Sequence, residues 1–553
     1  MGLGIREPNH KGEGRIPGTL HLYDDDSIDS NEGPDSPELN RNVKHAGSSS
    51  LILFPQPSES LNDPLNWSQW KKDLTLFSIC FAAGIGALLG PLLSPVNAIL
   101  AEEYGVSINE ASELQGYPLF MSACGAVVFS AFSRVWGKRP VYLFAIILIF
   151  ASTLWIIWNG SFKSFLGARI LYGFGLGAYE GIVTASIGDM FFVHQRGTRV
   201  TIYTLWLLGC TNFAPVIGGY ISLKHGWRMQ FKISAIFVGI AVLLVTLFCP
   251  ETAYGRPKVF ETDITSDTSI LHAKDEKGEI KTTTTSTTPA GSNSDAQSDE
   301  PQRTWTQELQ PFSGRYSNDN LFKLLARPFI CMLYPAVLFG FLVIGVMTAW
   351  AVGVAITMAQ VFSVPPASFN SAQLGYTFTF AAVGCATACI FGSVALDPLS
   401  KYAARRNNRI LEPEFRIILT IVVYIFAIPG IFSFGYYATT PHPHWVVVSI
   451  LYGLIDFGDI LSASISCTYV LDCHRDYAVE MTVGLQLLRN FFSFAASYFL
   501  PNWLENSGTR RVYYSMGGIE CAMFVVCFFM YVFGKCLRNF VHRHSPLRFF
   551  HLE

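Results

Sequence analysis

The chain has 553 residues and a formal net charge of −2; half of its residues are hydrophobic, 14% are aromatic and only 14% are charged. A soluble chain carries about 25% charged residues because its surface faces water. The composition therefore excludes an ordinary soluble protein and predicts an all-α membrane protein. The charge gives no support for a nucleic-acid partner.

The chain begins with a polar segment, residues 1–71, which contains Asp24-Asp25-Asp26 and Ser48-Ser49-Ser50. Such a segment buries too little apolar surface to offset its ordering entropy, so we predict a disordered cytosolic tail. A second polar stretch, residues 251–328, is predicted to be a cytosolic loop, and residues 538–553 a cytosolic C-terminal tail.

Between these polar segments lie the apolar windows. A bilayer core of ~30 Å needs about 20 apolar residues per helix, and twelve windows meet this length. Six lie in residues 72–250 and six in residues 329–537, which predicts two six-helix bundles. In chain order, spans 1 to 12 are 74–99, 114–134, 140–158, 165–188, 200–222, 230–249, 329–359, 372–394, 415–437, 445–471, 480–502 and 512–535.

Basic residues in the connecting loops predict the orientation, because Lys and Arg concentrate on the cytosolic side. With the N-terminus inside, the outer loops hold five of them, Lys163, Lys224, Arg228, Arg510 and Arg511. The inner loops hold eleven: Arg134, Lys138, Arg139, Arg196, Arg199, Lys401, Arg405, Arg406, Arg409, Arg416 and Arg475. Both termini are therefore predicted to be cytosolic. Asn159, in the sequon Asn159-Gly160-Ser161, then faces outward as a candidate glycosylation site, although its loop is short and close to the membrane.

The loop after span 2 reads Trp136-Gly137-Lys138-Arg139-Pro140. It resembles the loop signature of the major facilitator superfamily, in which a Gly and two basic residues join spans 2 and 3. The resemblance implies two pseudo-symmetric six-helix bundles around a central cavity. The family's Asp, three residues before the Gly, is Arg134 here, so this loop lacks the acid of the charge relay that the family assigns to it. The equivalent loop of the second half keeps an acid, Asp397, followed by Arg405 and Arg406.

Span 4 carries Arg169-Ile170-Leu171-Tyr172-Gly173, which resembles the superfamily's Arg-x-x-Gln-Gly motif. An Arg inside the hydrocarbon must face protein or water. Glu180 follows eleven residues later, about 1100° of helical rotation, and so returns to nearly the same face. Two opposite charges on one stripe predict a proton-coupling site; the alternative is that Glu180 is a packed neutral acid.

Span 5 contains Cys210-Thr211-Asn212-Phe213-Ala214-Pro215-Val216-Ile217-Gly218-Gly219. It resembles the antiporter signature Gly-x-x-x-Gly-Pro-x-x-Gly-Gly of drug:proton antiporters. Pro215, Gly218 and Gly219 match, whereas Cys210 and Ala214 replace the first two glycines. The resemblance implies export; the alternative is an ordinary proline-kinked helix.

Span 10 carries Asp456 and Asp459, one helical turn apart. Two carboxyl groups on one face within a bilayer can share a proton or hold a cation. Topology predicts Arg489 of span 11 as their counter-charge, and the alternative is a pair wetted by the cavity. Five further residues are candidates to line that cavity, although aromatic residues also pack against lipid or neighbouring helices: Tyr179, Trp206, Asn212, Trp350 and Tyr376.

The two halves share a short repeat, Leu171-Tyr172-Gly173 in span 4 and Leu451-Tyr452-Gly453 in span 10. Together with the six-plus-six layout, it predicts two parallel repeats facing each other.

Segments outside the spans narrow the resemblance to fungal twelve-span drug:proton antiporters; they include Asp63-Pro64-Leu65-Asn66-Trp67 and Pro250-Glu251-Thr252. The resemblance implies a monomer in the plasma or vacuolar membrane that contacts lipid, moves protons and a small-molecule substrate, and uses no cofactor. No metal site is predicted, because Cys385 and Cys389 have no further ligand nearby.

Three functions remain open. The first is proton-coupled export of a drug, toxin or secondary metabolite, and the second is proton-coupled import of an organic cation such as a polyamine. The third is a membrane sensor or enzyme, but the chain has neither a Gly-x-x-x-x-Gly-Lys-Ser/Thr loop nor a His-Glu-x-x-His motif, which argues against ATP-driven and zinc-dependent chemistry. No motif identifies the substrate.

Overall fold

The computed structural model describes residues 4–6, 18–21, 60, 62–254, 304–312, 314–317, 319–365, 367–407, 410–474 and 477–550. Arg409, Arg475 and most of the polar stretch 251–328 lie outside these residues. The described chain is almost entirely helical. Keeping the numbers above, spans 1 to 12 are Gln69–Tyr104, Ile108–Trp136, Arg139–Ile157, Phe162–Met190, Val193–His225, Trp227–Phe248, Pro335–Phe362, Ser371–Arg406, Pro413–Tyr437, Trp445–Cys473, Ala478–Ser507 and Thr509–Arg543.

Among the described residues, eleven helices are long and apolar enough to cross a membrane. Span 11 is not among them, although it has 30 residues. It carries Glu480, Gln486, Arg489 and Asn490, and polar side chains at membrane depth belong where they face other helices rather than lipid. Large apolar side chains on the periphery of the helix bundles, such as Ile236 and Phe528, are 66% exposed.

The repeat read from the sequence has matching contacts in both halves. Tyr172 donates to the carbonyl oxygen of Gly86 in span 1 at 2.8 Å, and Tyr452 to that of Ala351 in span 7 at 3.4 Å. Each following glycine also allows a close approach. A Cβ added at Gly173 would lie 2.5 Å from the Pro118 carbonyl oxygen of span 2. One added at Gly453 would lie 2.6 Å from that of Phe380 in span 8. Spans 1, 2 and 4 are therefore packed like spans 7, 8 and 10.

The two bundles meet mainly through spans 2 and 11 and through spans 5 and 8. Midway along the first pair, Phe120 stacks on Phe491 with ring centroids 5.1 Å apart. At the end predicted to face the cytosol, called the inner end below, Arg134 Nη1 lies 2.6 Å from Glu480 Oε1. The Arg that replaces the family's Asp thus forms an ion pair between the bundles.

Parts of the polar segments make defined contacts, in contrast to the expectation of a tail without stable structure. A two-residue strand, β1 (Leu20–His21), pairs antiparallel with β2 (Ile410–Leu411) in the loop between spans 8 and 9. In the central loop, the helix Leu321–Cys331 packs on the inner end of span 2 through Leu324, which contacts Ala131 and Val135.

Candidate functional site

The candidate site begins at Glu180, in the middle of span 4. Gln486 Nε2 donates to Glu180 Oε2 at 2.7 Å, and Asn490 Nδ2 donates to the same oxygen at 3.2 Å. Both donors belong to span 11, so this carboxyl group of the N-terminal bundle is held by two amides of the C-terminal bundle. Asn490 also donates to Ser122 Oγ of span 2 at 3.0 Å, which fixes its position.

The second carboxyl group, Asp456, makes the reverse contact. Asn212 Nδ2 of span 5 donates to Asp456 Oδ2 of span 10 at 3.0 Å, and both side chains are buried. Asp459, one turn further on, accepts a hydrogen bond of 2.6 Å from Thr348 Oγ1 of span 7. The two aspartates therefore differ in role, since Asp456 joins the two bundles and Asp459 stays within one.

These contacts are reciprocal under the six-helix repeat. Spans 4 and 10 occupy equivalent places, as do spans 5 and 11. A carboxyl group of span 4 accepts from amides of span 11, and a carboxyl group of span 10 accepts from an amide of span 5. Each bundle thus contributes one acid and at least one amide to the interface at membrane depth.

Arg169 does not pair with Glu180, contrary to the interpretation of one shared charged stripe. Arg169 is fully buried and donates to the carbonyl oxygens of Leu89, at 2.7 Å, and Gly90, at 3.3 Å. The physical reason is distance, because eleven residues of helix separate the two side chains by about 16 Å along the axis. Angular position alone suggested the pair. The guanidinium instead satisfies carbonyls where span 1 changes from α-helix to a 3-10 helix, Pro91–Val96.

Arg489 forms no close ion pair with either aspartate, although its charge still acts on the Asp459 carboxyl group. Its Nε donates to Asn490 Oδ1 at 3.2 Å, and among the described ion pairs none joins it to Asp456 or Asp459. The hydrogen bonds to the two aspartates come from the neutral donors Asn212 and Thr348, whereas Arg489 acts on Asp459 through its charge at longer range. Arg489 orients the amide that binds Glu180.

Glu520 of span 12 is an acid that the sequence reasoning missed. Its side chain is 1% exposed, and one carboxyl oxygen has no hydrogen-bond partner within the described structure. It neighbours the Trp350 indole and the carboxyl group of Asp459. The sequence did carry a signal for it, because a Glu inside an apolar window of membrane-spanning length marks a candidate functional site. Together, Asp456, Asp459 and Glu520 make the C-terminal bundle acidic at its centre.

The aromatic cavity candidates occupy different environments. Tyr179 is fully buried and donates to the Tyr142 carbonyl oxygen at 3.2 Å, so it packs between helices rather than lining a cavity. Trp350 is also buried, next to Glu520. Trp206 is 42% exposed and packs on Gly84 of span 1. Tyr376 lies against Trp445, with ring centroids 5.6 Å apart, near the outer ends of spans 8 and 10.

The span 5 motif forms a close contact between the bundles. A Cβ added at Gly219 would collide with the Ser371 carbonyl oxygen of span 8, and one at Gly375 would lie 2.5 Å from that of Pro215. Gly218 packs on Leu92 of span 1. These residues therefore let spans 5 and 8 approach backbone to backbone near their outer ends, just beyond the Asn212–Asp456 hydrogen bond.

The loop between spans 2 and 3 is anchored by Glu251, which follows span 6. Its carboxylate accepts from the backbone N–H of Lys138 at 2.9 Å and of Arg139 at 3.1 Å. Gly137 has a φ of 91°, a conformation that favours glycine. Lys138 Nζ lies 2.5 Å from Asp189 Oδ2 of span 4. Acids distant in sequence therefore hold this loop in place of the missing Asp.

Burial raises the pKa of Glu251, and the backbone N–H groups that donate to its carboxylate oppose that rise. Replacing Glu251 by Ala leaves two buried N–H groups at the start of span 3 without acceptors, at about 1–3 kcal/mol each. We expect a lower midpoint of thermal unfolding for the purified protein, with Glu251→Gln, which keeps one acceptor oxygen, in between. Equal midpoints for Glu251→Ala and the unaltered protein would contradict this role.

The corresponding loop of the second half has its own ion pairs. Arg416 lies 3.1 Å from Asp397 Oδ1 and 2.5 Å from Asp472 Oδ2, which joins spans 8, 9 and 10 at their inner ends. Arg405 and Arg406 are exposed, and Arg406 lies over the Tyr402 ring. Their positions fit the basic inner surface expected from topology.

Asn159 is a poor glycosylation site in this structure. Its side chain is only 7% exposed, and its Oδ1 accepts a hydrogen bond of 2.6 Å from the Tyr104 hydroxyl. Its Nδ2, the atom that would carry the glycan, is buried, so glycosylation would require this packing to open. The sequon is thus part of the packing between the end of span 1 and the loop that joins spans 3 and 4, which sequence could not indicate.

Comparisons with known proteins agree with this architecture. The family model described as Major Facilitator Superfamily matches residues 74–497. An MFS-type transporter of Schizosaccharomyces pombe is 26% identical, covering 95% of this chain and 93% of the relative. Protein HOL1 of Saccharomyces cerevisiae is 25% identical, covering 96% of each chain.

Solved structures show the same fold. The human organic anion transporter MFSD10 superposes with a TM-score of 0.51 at 16% identity, covering 83% of this chain and 99% of that one. A peptide transporter, POT, superposes with a TM-score of 0.54 at 12% identity, covering 84% and 95%. At these identities the likeness concerns the fold alone.

Proposed function

Because this chain belongs to the Major Facilitator Superfamily and is a multi-pass membrane transporter rather than an enzyme, we propose that it couples proton entry to the export of a small organic molecule. Alternating access requires the two bundles to separate and close on opposite sides of the membrane in turn. Proton coupling requires that protonation change the free energy of one of these arrangements.

The observation that carries the proposal is the reciprocal pair of contacts, Glu180 with Gln486 and Asn490, and Asp456 with Asn212. A hydrogen bond to an ionised carboxylate stabilises by about 1.5–3 kcal/mol, against about 1 kcal/mol for a neutral acceptor. Proton binding to either acid therefore weakens a contact between the bundles. Proton release strengthens it again, so that protonation and bundle movement are linked.

Protonation also changes which groups can bind substrate. A carboxyl group freed from its amide donors is available to a ligand, and the amides are then available as well. Glu180 and Asp456 lie in different bundles, so a substrate that occupies the interface meets both. A proton and a substrate that compete for the same acids exchange for each other, which is the requirement of an antiporter.

The direction of export rests on the motif Pro215, Gly218 and Gly219, whose resemblance to the antiporter signature is accompanied by a close contact with span 8. A second candidate function is the import of an organic cation. The acidic centre formed by Asp456, Asp459 and Glu520 favours it, because buried carboxyl groups attract a cation that can offset their desolvation. In both cases substrate and proton use the same interface.

The proposal predicts the energy source. In inside-out membrane vesicles, an imposed proton gradient should drive substrate accumulation without ATP, and a proton-selective uncoupler should abolish it. Vesicles from cells lacking the protein serve as the control, with candidate drugs and polyamines supplied as radiolabelled substrates. Accumulation that persists without any proton gradient would refute proton coupling. Uptake into right-side-out vesicles alone would favour import over export.

A further inference from the structure

The N-terminal residues contact the inner end of span 12. Ile5 is buried against Ala403, Ala404 and Phe415. Next to it, the Arg6 N–H donates to the Val532 carbonyl oxygen at 2.9 Å. The Cys536 thiol donates to the Arg6 carbonyl oxygen at 3.3 Å. One apolar side chain and both backbone groups of Arg6 are thus in contact with the C-terminal bundle.

Residues 18–21 contact the same surface. β1 pairs with β2, with Leu20 opposite Leu411 and His21 opposite Ile410. Just before this strand, Thr19 Oγ1 donates to Glu412 Oε2 at 2.8 Å. Gly18 has a φ of 82°, and an added Cβ would lie 2.6 Å from the Asp472 carbonyl oxygen. The pairing is an intramolecular form of strand addition to an exposed edge.

The Glu412 carboxylate, which accepts the hydrogen bond from Thr19, belongs to a buried charge cluster. Lys535 Nζ lies 2.7 Å from Glu412 Oε1, and Arg538 Nη2 lies 2.9 Å from Glu412 Oε2 and 2.7 Å from Glu414 Oε2. Burial alone would raise the pKa of Glu412, but Lys535 and Arg538 hold it below its ordinary value. The Thr19 hydroxyl therefore donates to an ionised acceptor, which strengthens the bond.

We propose that residues 4–6 and 18–21 form a reversible N-terminal strap, which docks on a peptide-binding surface at the inner end of the C-terminal bundle and slows the transport cycle. The surface consists of β2, Glu412, the apolar contact around Ile5 and the inner end of span 12. The proposal rests on the transporter function but depends neither on its direction nor on proton coupling.

The contacts account both for the slowing of the transport cycle and for the reversibility of docking. The strap touches the loop between spans 8 and 9, the end of span 10 and the end of span 12, so it holds three elements in one arrangement. Its chain continues to span 1 of the other bundle. The docked contacts of residues 4–6 and 18–21 are few, and holding these residues in place costs conformational entropy. The strap therefore releases and rebinds, and its population can be changed by a competing peptide or a modification.

The first experiment removes residues 2–21 from the full-length protein. Initial transport rates per molecule in vesicles should rise by at least about twofold, because the docked state no longer holds back part of the population. Thr19→Val should give a smaller rise, and Thr19→Ser, which keeps the hydroxyl, should give none. Unchanged or lower rates in the truncated protein at equal expression would overturn the inhibitory role.

Cys536 reports docking independently of transport. Maleimide added to the cytosolic side should modify Cys536 at least about threefold faster in the truncated protein, as followed by peptide mass spectrometry. Buried Cys473 is the internal control and should stay unmodified in both proteins. Equal modification rates at Cys536 would show that the strap does not dock.

A disulfide cross-link tests the effect of holding the strap permanently docked. Arg6→Cys places a second thiol beside Cys536, so mild oxidation should join them and hold the strap in place. Transport should then fall and recover on reduction, whereas the variant that also carries Cys536→Ser should not respond to oxidant. Efficient cross-linking that leaves transport unchanged would show that the strap docks but does not slow transport, and would reject the regulatory role.

Discussion

Replacing Glu180 by Gln is expected to lower proton-driven accumulation by at least about tenfold, the equivalent of ~1.4 kcal/mol of lost coupling. Gln is nearly isosteric but cannot exchange a proton. Its amide oxygen still accepts from Gln486 and Asn490, which hold Glu180 at 2.7 and 3.2 Å. The contact between the bundles therefore persists in a form that no longer responds to protonation.

Substrate exchange without net proton movement should survive in Glu180→Gln, because the bundles can still reorient. The measurement compares accumulation with exchange in the same vesicles at equal expression. Asp456→Asn is the matched variant in the other bundle, since Asp456 makes the reciprocal contact with Asn212. A well-expressed Glu180→Gln protein that accumulates substrate normally would refute the assignment and move it to Asp456 and Asp459.

Replacing Arg169 by Met is expected to destabilise the protein rather than uncouple it. The substitution leaves the carbonyl oxygens of Leu89 and Gly90, which Arg169 binds at 2.7 and 3.3 Å, without donors. Each buried unsatisfied group costs about 1–3 kcal/mol. We therefore expect ~2–6 kcal/mol less stability, seen as a lower thermal midpoint and less protein at the membrane.

Tyr172→Phe is the control for Arg169→Met, because it removes one hydrogen bond to the neighbouring carbonyl oxygen of Gly86 and should cost only about 1 kcal/mol. The Arg169→Met protein that does reach the membrane should keep its proton-to-substrate ratio. A stable Arg169→Met protein that has lost proton coupling would restore the role that the sequence motif suggested.

The sequence was sufficient for the fold because the bilayer imposes a strong constraint. Every backbone group at membrane depth must be hydrogen-bonded within the protein, so long apolar windows become helices. The repeat of Tyr172-Gly173 in Tyr452-Gly453 also correctly indicated equivalent packing, because glycine next to tyrosine in both halves permits the same close contact with a neighbouring helix.

Side-chain pairing was harder to predict. Helical rotation placed Arg169 and Glu180 on one stripe, but rise along the axis keeps them apart. The partners of Glu180 are the amides of Gln486 and Asn490, which carry no charge and form no motif. The search for counter-charges selected Arg169 as the partner of Glu180 instead. Neutral donors at membrane depth also hold a carboxylate, but their sequence signal is weak.

By itself, the sequence determined which residues lie in the membrane, the division into two repeated halves and the presence of acids at membrane depth, because these follow from hydropathy and local spacing. Only the tertiary structure decided that Glu180 and Asp456 contact amides of the opposite bundle, that Glu251 anchors Lys138, and that Thr19 reaches Glu412. The paired residues are more than 100 positions apart, and such contacts depend on how whole helices pack rather than on the pattern within any one of them.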